Sequence, residues 1–149
     1  MDELLDIQRY SEEQQYEAFV AKFAQEIIRR SNKIWSNGYV SVQECPIRHF
    51  NVDAEVKRTD VIVYVKRNRK VILIIECKVD QEDFDEGEVQ LESYMIETKC
   101  RRGILMNAKL AREYEYIPGS RQRPYQVGSD VNLTNVPGIQ TLIEFINES

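Results

Sequence analysis

No run of apolar residues in this chain approaches the length of a membrane-spanning helix, and no basic-then-apolar leader opens it. The acidic start, with Asp2 and Glu3, fits a cytoplasmic protein that has no membrane partner. Histidine is almost missing. His49 stands alone, with no nucleophile or ligand partner beside it, and reads as structural or exposed. The three cysteines, Cys45, Cys77 and Cys100, are odd in number and lack metal-ligand spacing, which argues for reduced, buried thiols. There is no Walker-type glycine loop, no internal repeat, no low-complexity tract and no linker. Net basic charge is also lacking: the sum is −5, low for a strong stand-alone DNA binder.

What is present is one domain of 149 residues, long enough for a real core. Its charges are sorted along the chain. Residues 1–26 hold seven acids and two bases, and residues 80–97 hold eight acids and no base. The bases gather at Lys66, Arg67, Arg69 and Lys70, then at Lys99, Arg101, Arg102, Lys109, Arg112, Arg121 and Arg123. Phosphate binding needs a local basic surface more than a basic total, so Lys66, Arg67, Arg69, Arg101 and Arg102 are candidate nucleic-acid contacts. Solvated loop charge explains the same residues equally well.

The most informative stretch is 58–78. Two β-branched runs, Val61–Val65 and Val71–Ile75, flank the basic turn 66–70 and predict a β-hairpin. With Asn68 at the turn centre, Asp60 lies opposite Glu76, and directly opposed Cβ atoms are about 4.5–5.5 Å apart. Period-two alternation puts Glu76 and Lys78 on one face and Cys77 on the other. The hairpin end thus gathers Asp60, Glu76 and Lys78. Two carboxylates this close repel, so one takes a proton or both find a cation. Such a donor set suits Mg²⁺, which prefers one or two carboxylates plus water and phosphate. A lysine beside it would steady attacking water or growing phosphate charge. The bland alternative is the solvated end of a half-buried strand.

Elsewhere, Ser11 followed by Glu12 and Glu13 predicts a helix start, and Tyr16, Phe19, Val20, Phe23, Ala24, Ile27 and Ile28 carry a helical stripe over about 12–30. Residues 1–10 read as a brief helix or a docked arm. A strand is predicted over Tyr39–Cys45, ended by Pro46, and the polar segment 50–55 leads into the hairpin. A helix is predicted over 83–98, where Gln90 and Tyr94, four apart, share a face. Residues 103–107 read as a buried strand, 110–117 as an edge hairpin arm, 119–130 as a polar, basic loop. Asn135 opens a terminal helix.

The order helix, strand, hairpin, helix, strand, with an acid pair and lysine on the hairpin, resembles the PD-(D/E)XK nuclease superfamily, the restriction-endonuclease-like fold. Asp60 takes the place of that family's first acid, although Thr59 and not proline precedes it. Glu76-Cys77-Lys78 matches the E-x-K element, and Gln90 with Tyr94 matches the Q-x-x-x-Y signature of the RecB-like branch. Arg58-Thr59-Asp60 and Gly103–Asn107 make the chain especially similar to the N-terminal nuclease domain of type I restriction enzyme R subunits. The similarity spans about 12–108, and the extension 109–149 matches nothing named.

The resemblance implies an α/β fold with an αβββαβ core, a central mixed sheet flanked by helices. It implies a DNA nuclease of restriction or repair type, endonuclease in preference to exonuclease, using Mg²⁺ or Mn²⁺. In that scheme Asp60, Glu76 and the main-chain carbonyl of Cys77 ligate the ion. Lys78 positions or deprotonates water, Gln90 orients Lys78 or meets the phosphate, Tyr94 supports it, and Glu17 adds a water-mediated contact. The R subunits carry a helicase behind this domain and this chain carries none. It therefore acts alone, joins separate helicase or restriction–modification subunits, or is a piece of a longer chain. Double-strand cutting needs two sites, which makes a symmetric homodimer plausible, although the sequence shows no interface. The competing reading is a non-catalytic nucleic-acid-binding or protein-interaction domain that keeps the nuclease fold.

Overall fold

The apolar runs around the basic turn form the centre of the molecule. In the computed structural model, described over residues 1–51 and 57–149, β1 (Tyr39–Pro46), β2 (Arg58–Val65) and β3 (Val71–Cys77) pair antiparallel in sequence order. Residues 52–56 of the polar segment before the hairpin lie outside the described residues. After β3 the chain crosses through α3 (Phe84–Thr98) and returns as β4 (Arg102–Met106), parallel to β3. β5 (Leu110–Glu115) and β6 (Tyr125–Asn132) then add antiparallel. The result is a six-stranded mixed sheet in the order β1 to β6, with helices on both faces. The fold is α/β, as expected.

Period-two alternation assigns the two faces. Val61, Val63, Leu73, Ile75, Cys77, Ile104 and Met106 pack beneath α1 (Asp2–Gln14), α2 (Glu17–Arg29) and α4 (Val136–Asn147). Ile62, Ile74 and Leu105 pack on the other face beneath Leu91, Tyr94 and Met95 of α3. β3 is buried at every residue but Ile72, which suits its continuous apolar run. Two glycines let α3 lie close. A Cβ at Gly87 would sit 2.6 Å from Leu105 Cδ1, and one at Gly103 would sit 2.6 Å from Met95 Sδ. Glycine inside a helix costs roughly 0.5–1 kcal/mol against alanine; at Gly87 that cost is offset by the close approach.

Three expectations are corrected. The helix predicted over 12–30 from a Ser11 start is two helices. Ser11 belongs to the last turn of α1, where its carbonyl accepts from Gln15 N–H and its hydroxyl donates to Phe19 O at 3.0 Å. Gln15 is left-handed (φ 54°) and Tyr16 extended, which turns the chain before Glu17. From Asp2 onward the predicted brief helix or arm is helix, the start of α1, docked through buried Leu4 and Gln8. The segment after Asn107 is an interior strand and not an edge arm, because part of the predicted 119–130 loop is the edge strand β6. In β6 only Val131 is buried, so the strand lacks the apolar alternation that would announce it. The terminal helix begins as expected: Asn135 Oδ1 accepts from Gly138 N–H at 2.8 Å.

Candidate active site

The carboxyl ends of the parallel pair β3 and β4 open at one rim of the sheet, and the candidate residues meet there. The register Val61↔Ile75, carried one step further, sets Asp60 across from Glu76. Asp60 Oδ2 accepts from Cys77 N–H at 2.7 Å, which fixes the acid over the end of β3. Lys78 N–H donates to Met106 O at 2.9 Å, so the lysine is anchored to β4 by its backbone. Its stem lies along Gly87 of α3: a Cβ there would be 3.2 Å from Lys78 Cγ. From the other face Glu17, the first residue of α2, brings a carboxylate 4.0 Å from Lys78 Nζ.

Glu76 is the unusual group. It is 3 % exposed, and its Oε1 is buried with no hydrogen-bond partner. Burial, then a hydrogen bond and charge repulsion from Asp60, push its carboxyl up to about 9, against the pull of Lys78. Glu17 is raised as well, by burial and by Asp60, Asp83 and Glu86, again opposed by Lys78. Burial, then the charges of Glu76, Asp60 and Glu97, push the Tyr94 phenol up to about 12. Gln90 is half-buried between Gly87 and Tyr94 on the same helical stripe. An open groove lined by Glu17, Phe19, Lys22, Glu44 and Asp60 leads to the pair.

The rim is short of positive charge. The carboxylates of Asp60, Glu76 and Glu17 face the ammonium of Lys78. Among the described residues, no three His, Cys, Asp or Glu side chains are grouped to hold a metal ion. Sequence reasoning overlooked Gly87, whose role in seating Lys78 depends on a helix–sheet approach that no local pattern announces. All three cysteines are free and buried, as expected.

The candidate nucleic-acid residues are not part of this rim. Lys66, Arg67 and Arg69 occupy the β2–β3 turn, at the opposite end of the hairpin. Arg101 precedes β4 and Arg102 opens it; β4 runs parallel to β3, so both share that far end. Arg102 is engaged within the fold. It pairs with Glu115 at 3.3 Å and Glu148 at 3.7 Å, and donates to Phe145 O at 3.1 Å. Beside it Glu113 has a buried, unpartnered Oε2, and burial pushes its carboxyl up to about 7 against the pull of Arg102.

The family model Type I restriction enzyme R protein N terminus (HSDR_N) matches residues 38–122, more than half of the chain. The chain belongs to this family. The R protein N-terminal match takes in β1, the hairpin, α3, β4 and β5. Two solved structures are similar in fold. The cryoEM structure of the DrdV–DNA complex aligns with TM-score 0.63 and 16 % identity, over 98 % of this chain and 14 % of that one. The type IIG restriction endonuclease BpuSI aligns with TM-score 0.56 and 18 % identity, over 88 % of this chain and 16 % of that one. This chain thus spans about one-seventh of each of these chains. No curated protein is a sequence match. Among the described residues, no helix is long and apolar enough to cross a membrane.

Proposed function

We propose that this domain is a metal-dependent DNA nuclease of restriction type, with Asp60 and Glu76 as ligands of a Mg²⁺ or Mn²⁺ ion and Lys78 as the catalytic amine. The observation that carries the reading is Glu76: a buried carboxyl with an orphaned oxygen, whose proton is favoured first by burial and then by Asp60. A divalent cation relieves that arrangement, and Mg²⁺ takes one or two carboxylates while keeping its waters. The residues present therefore fit the ion, with the Cys77 carbonyl as a third oxygen. Bound there, the ion supplies a Lewis acid for a phosphoryl oxygen and offsets charge as the phosphodiester is attacked.

The chain's own residues do the positioning. Lys78 is held by Gly87 behind it and Glu17 before it, so its ammonium stays at the mouth to orient water and meet developing negative charge. Tyr94, whose burial favours the neutral phenol, offers a donor beside the acid pair. Gln90, one turn before it, orients Lys78 or meets the phosphate. Separate helicase or restriction–modification subunits, or a second copy of the chain, would supply translocation and the second cut.

The test is cleavage of plasmid and single-stranded DNA with Mg²⁺ or Mn²⁺. Wild type cuts, Asp60→Ala abolishes cutting, and Lys78→Ala slows it by roughly 10²–10³-fold. Cleavage equally fast in either variant overturns the assignment.

A further inference from the structure

Trp35 is the single tryptophan of the chain and is 65 % exposed. It opens the short 3-10 turn Trp35–Asn37 between α2 and β1. The turn is held firmly. Gly38 N–H donates to Trp35 O at 3.0 Å, Tyr39 N–H to Ile34 O at 3.2 Å, and Asn37 Nδ2 to Asn32 O at 2.8 Å. Gly38, at φ 89°, takes the left-handed conformation that ends it. Lys66 N–H donates to Gly38 O at 2.8 Å, tying the β2–β3 turn to this element. The Lys66 ammonium lies 3.6 Å from the indole centroid, within cation–π range.

The adjoining charge is unbalanced. Lys66, Arg67, Arg69 and Lys70 are all exposed, and among the described residues no carboxylate forms an ion pair with any of them. In a chain with 25 acids and 20 bases, four cations within five residues, with no ion-paired carboxylate among the described residues, create a local positive field. The turn lies six residues along β2 from Asp60, roughly 20 Å at the usual strand rise. This surface is therefore separate from the acidic rim.

We propose that Trp35 and the β2–β3 turn bind an unpaired nucleic-acid strand, with a base stacked on the indole and phosphates along Lys66, Arg67 and Arg69. The inference builds on the nucleic-acid reading of the turn and assigns it an occupant. A flat, fixed, exposed ring beside unneutralised cations is the pairing that single strands use, because a stacked duplex hides its base faces. Polyanion attraction alone would account for the cations but not for an indole that stays 65 % exposed beside Lys66.

The single tryptophan makes the test direct. Titration of wild type with oligo(dT) in EDTA should quench the fluorescence saturably, with a duplex of equal length quenching less. By anisotropy of labelled oligo(dT), Trp35→Ala should bind roughly 5- to 100-fold more weakly with an unchanged circular dichroism spectrum. Lys66→Ala combined with Arg67→Ala should reduce the salt slope. Absence of quenching, or undiminished binding by Trp35→Ala, overturns the proposal. So does polyglutamate competing as well as oligo(dT), which would mark a surface for acidic protein. EDTA removes divalent ions, so the result stands apart from the cleavage test.

Discussion

Glu76→Gln separates the metal-site reading from a merely structural acid. In the metal-free fold this carboxyl holds its proton to about 9, whereas its ordinary value is 4.5. As pH rises, the unfolded chain releases the proton first. Stability is therefore full below the ordinary value and is lost progressively between it and about 9. At pH 7 the loss amounts to about 3 kcal/mol, since each unit of difference is worth about 1.4 kcal/mol. Glutamine keeps the shape, cannot ionise, and offers Asp60 a donor. In EDTA the two proteins should melt within roughly 2–4 °C of each other near pH 5. At pH 7 the variant should melt higher by roughly 6–12 °C, given about 2–4 °C per kcal/mol for a domain of this size. Saturating Mg²⁺ should raise the melting temperature of wild type and not that of the variant, while the variant loses cleavage. The measurement is thermal unfolding by circular dichroism from pH 5 to 9, with and without Mg²⁺. Parallel pH curves for the two proteins would refute the argument, because they would mean that Glu76 is already ionised and satisfied.

Other outcomes follow from packing and charge. Gly87→Ala should cost about 1–3 kcal/mol through overpacking against Leu105; by crowding Lys78 it should also slow cleavage beyond what the lost stability explains, as turnover well below the melting point would reveal. Asn135→Ala removes the acceptor for Gly138 N–H and should destabilise the protein by about 1 kcal/mol in urea unfolding. Glu113 is raised to about 7, so its contribution has the same sign as that of Glu76. Glu113→Gln should accordingly flatten the fall in stability between pH 4.5 and 7 in a urea series, and an unchanged slope would show that Arg102 already neutralises it.

The hairpin was readable because its evidence is local. Val61–Val65 and Val71–Ile75 are β-branched, the turn between them is polar, and a centre at Asn68 is enough to bring Asp60 to Glu76. A register shift between Val63 and Tyr64 leaves that pairing intact, because it lies on the turn side of Val61↔Ile75. What stayed hidden depends on partners distant in sequence. The break at Gln15 is a left-handed residue within a continuous helical pattern, dictated by packing of α1 on α2. β6 is a polar edge strand recognised only by its pairing with β5. Arg102 has the composition of a phosphate contact, yet Glu115 and Glu148 come from elements that local reading does not bring to it. The rim was half legible: its acids and lysine follow from strand alternation, whereas the Gly87 seat and the Glu17 approach require the assembled layers.

The one parallel junction in the sheet has a consequence for folding. β1–β2–β3 and β4–β5–β6 are two antiparallel meanders, each built from neighbours in sequence, and α3 welds them along the β3–β4 seam. The acid pair belongs to the first meander, while the carbonyl that anchors Lys78 belongs to the second. Each meander can begin to form from contacts close in the chain, but the rim that joins the acid pair to Lys78 is finished only when the seam closes.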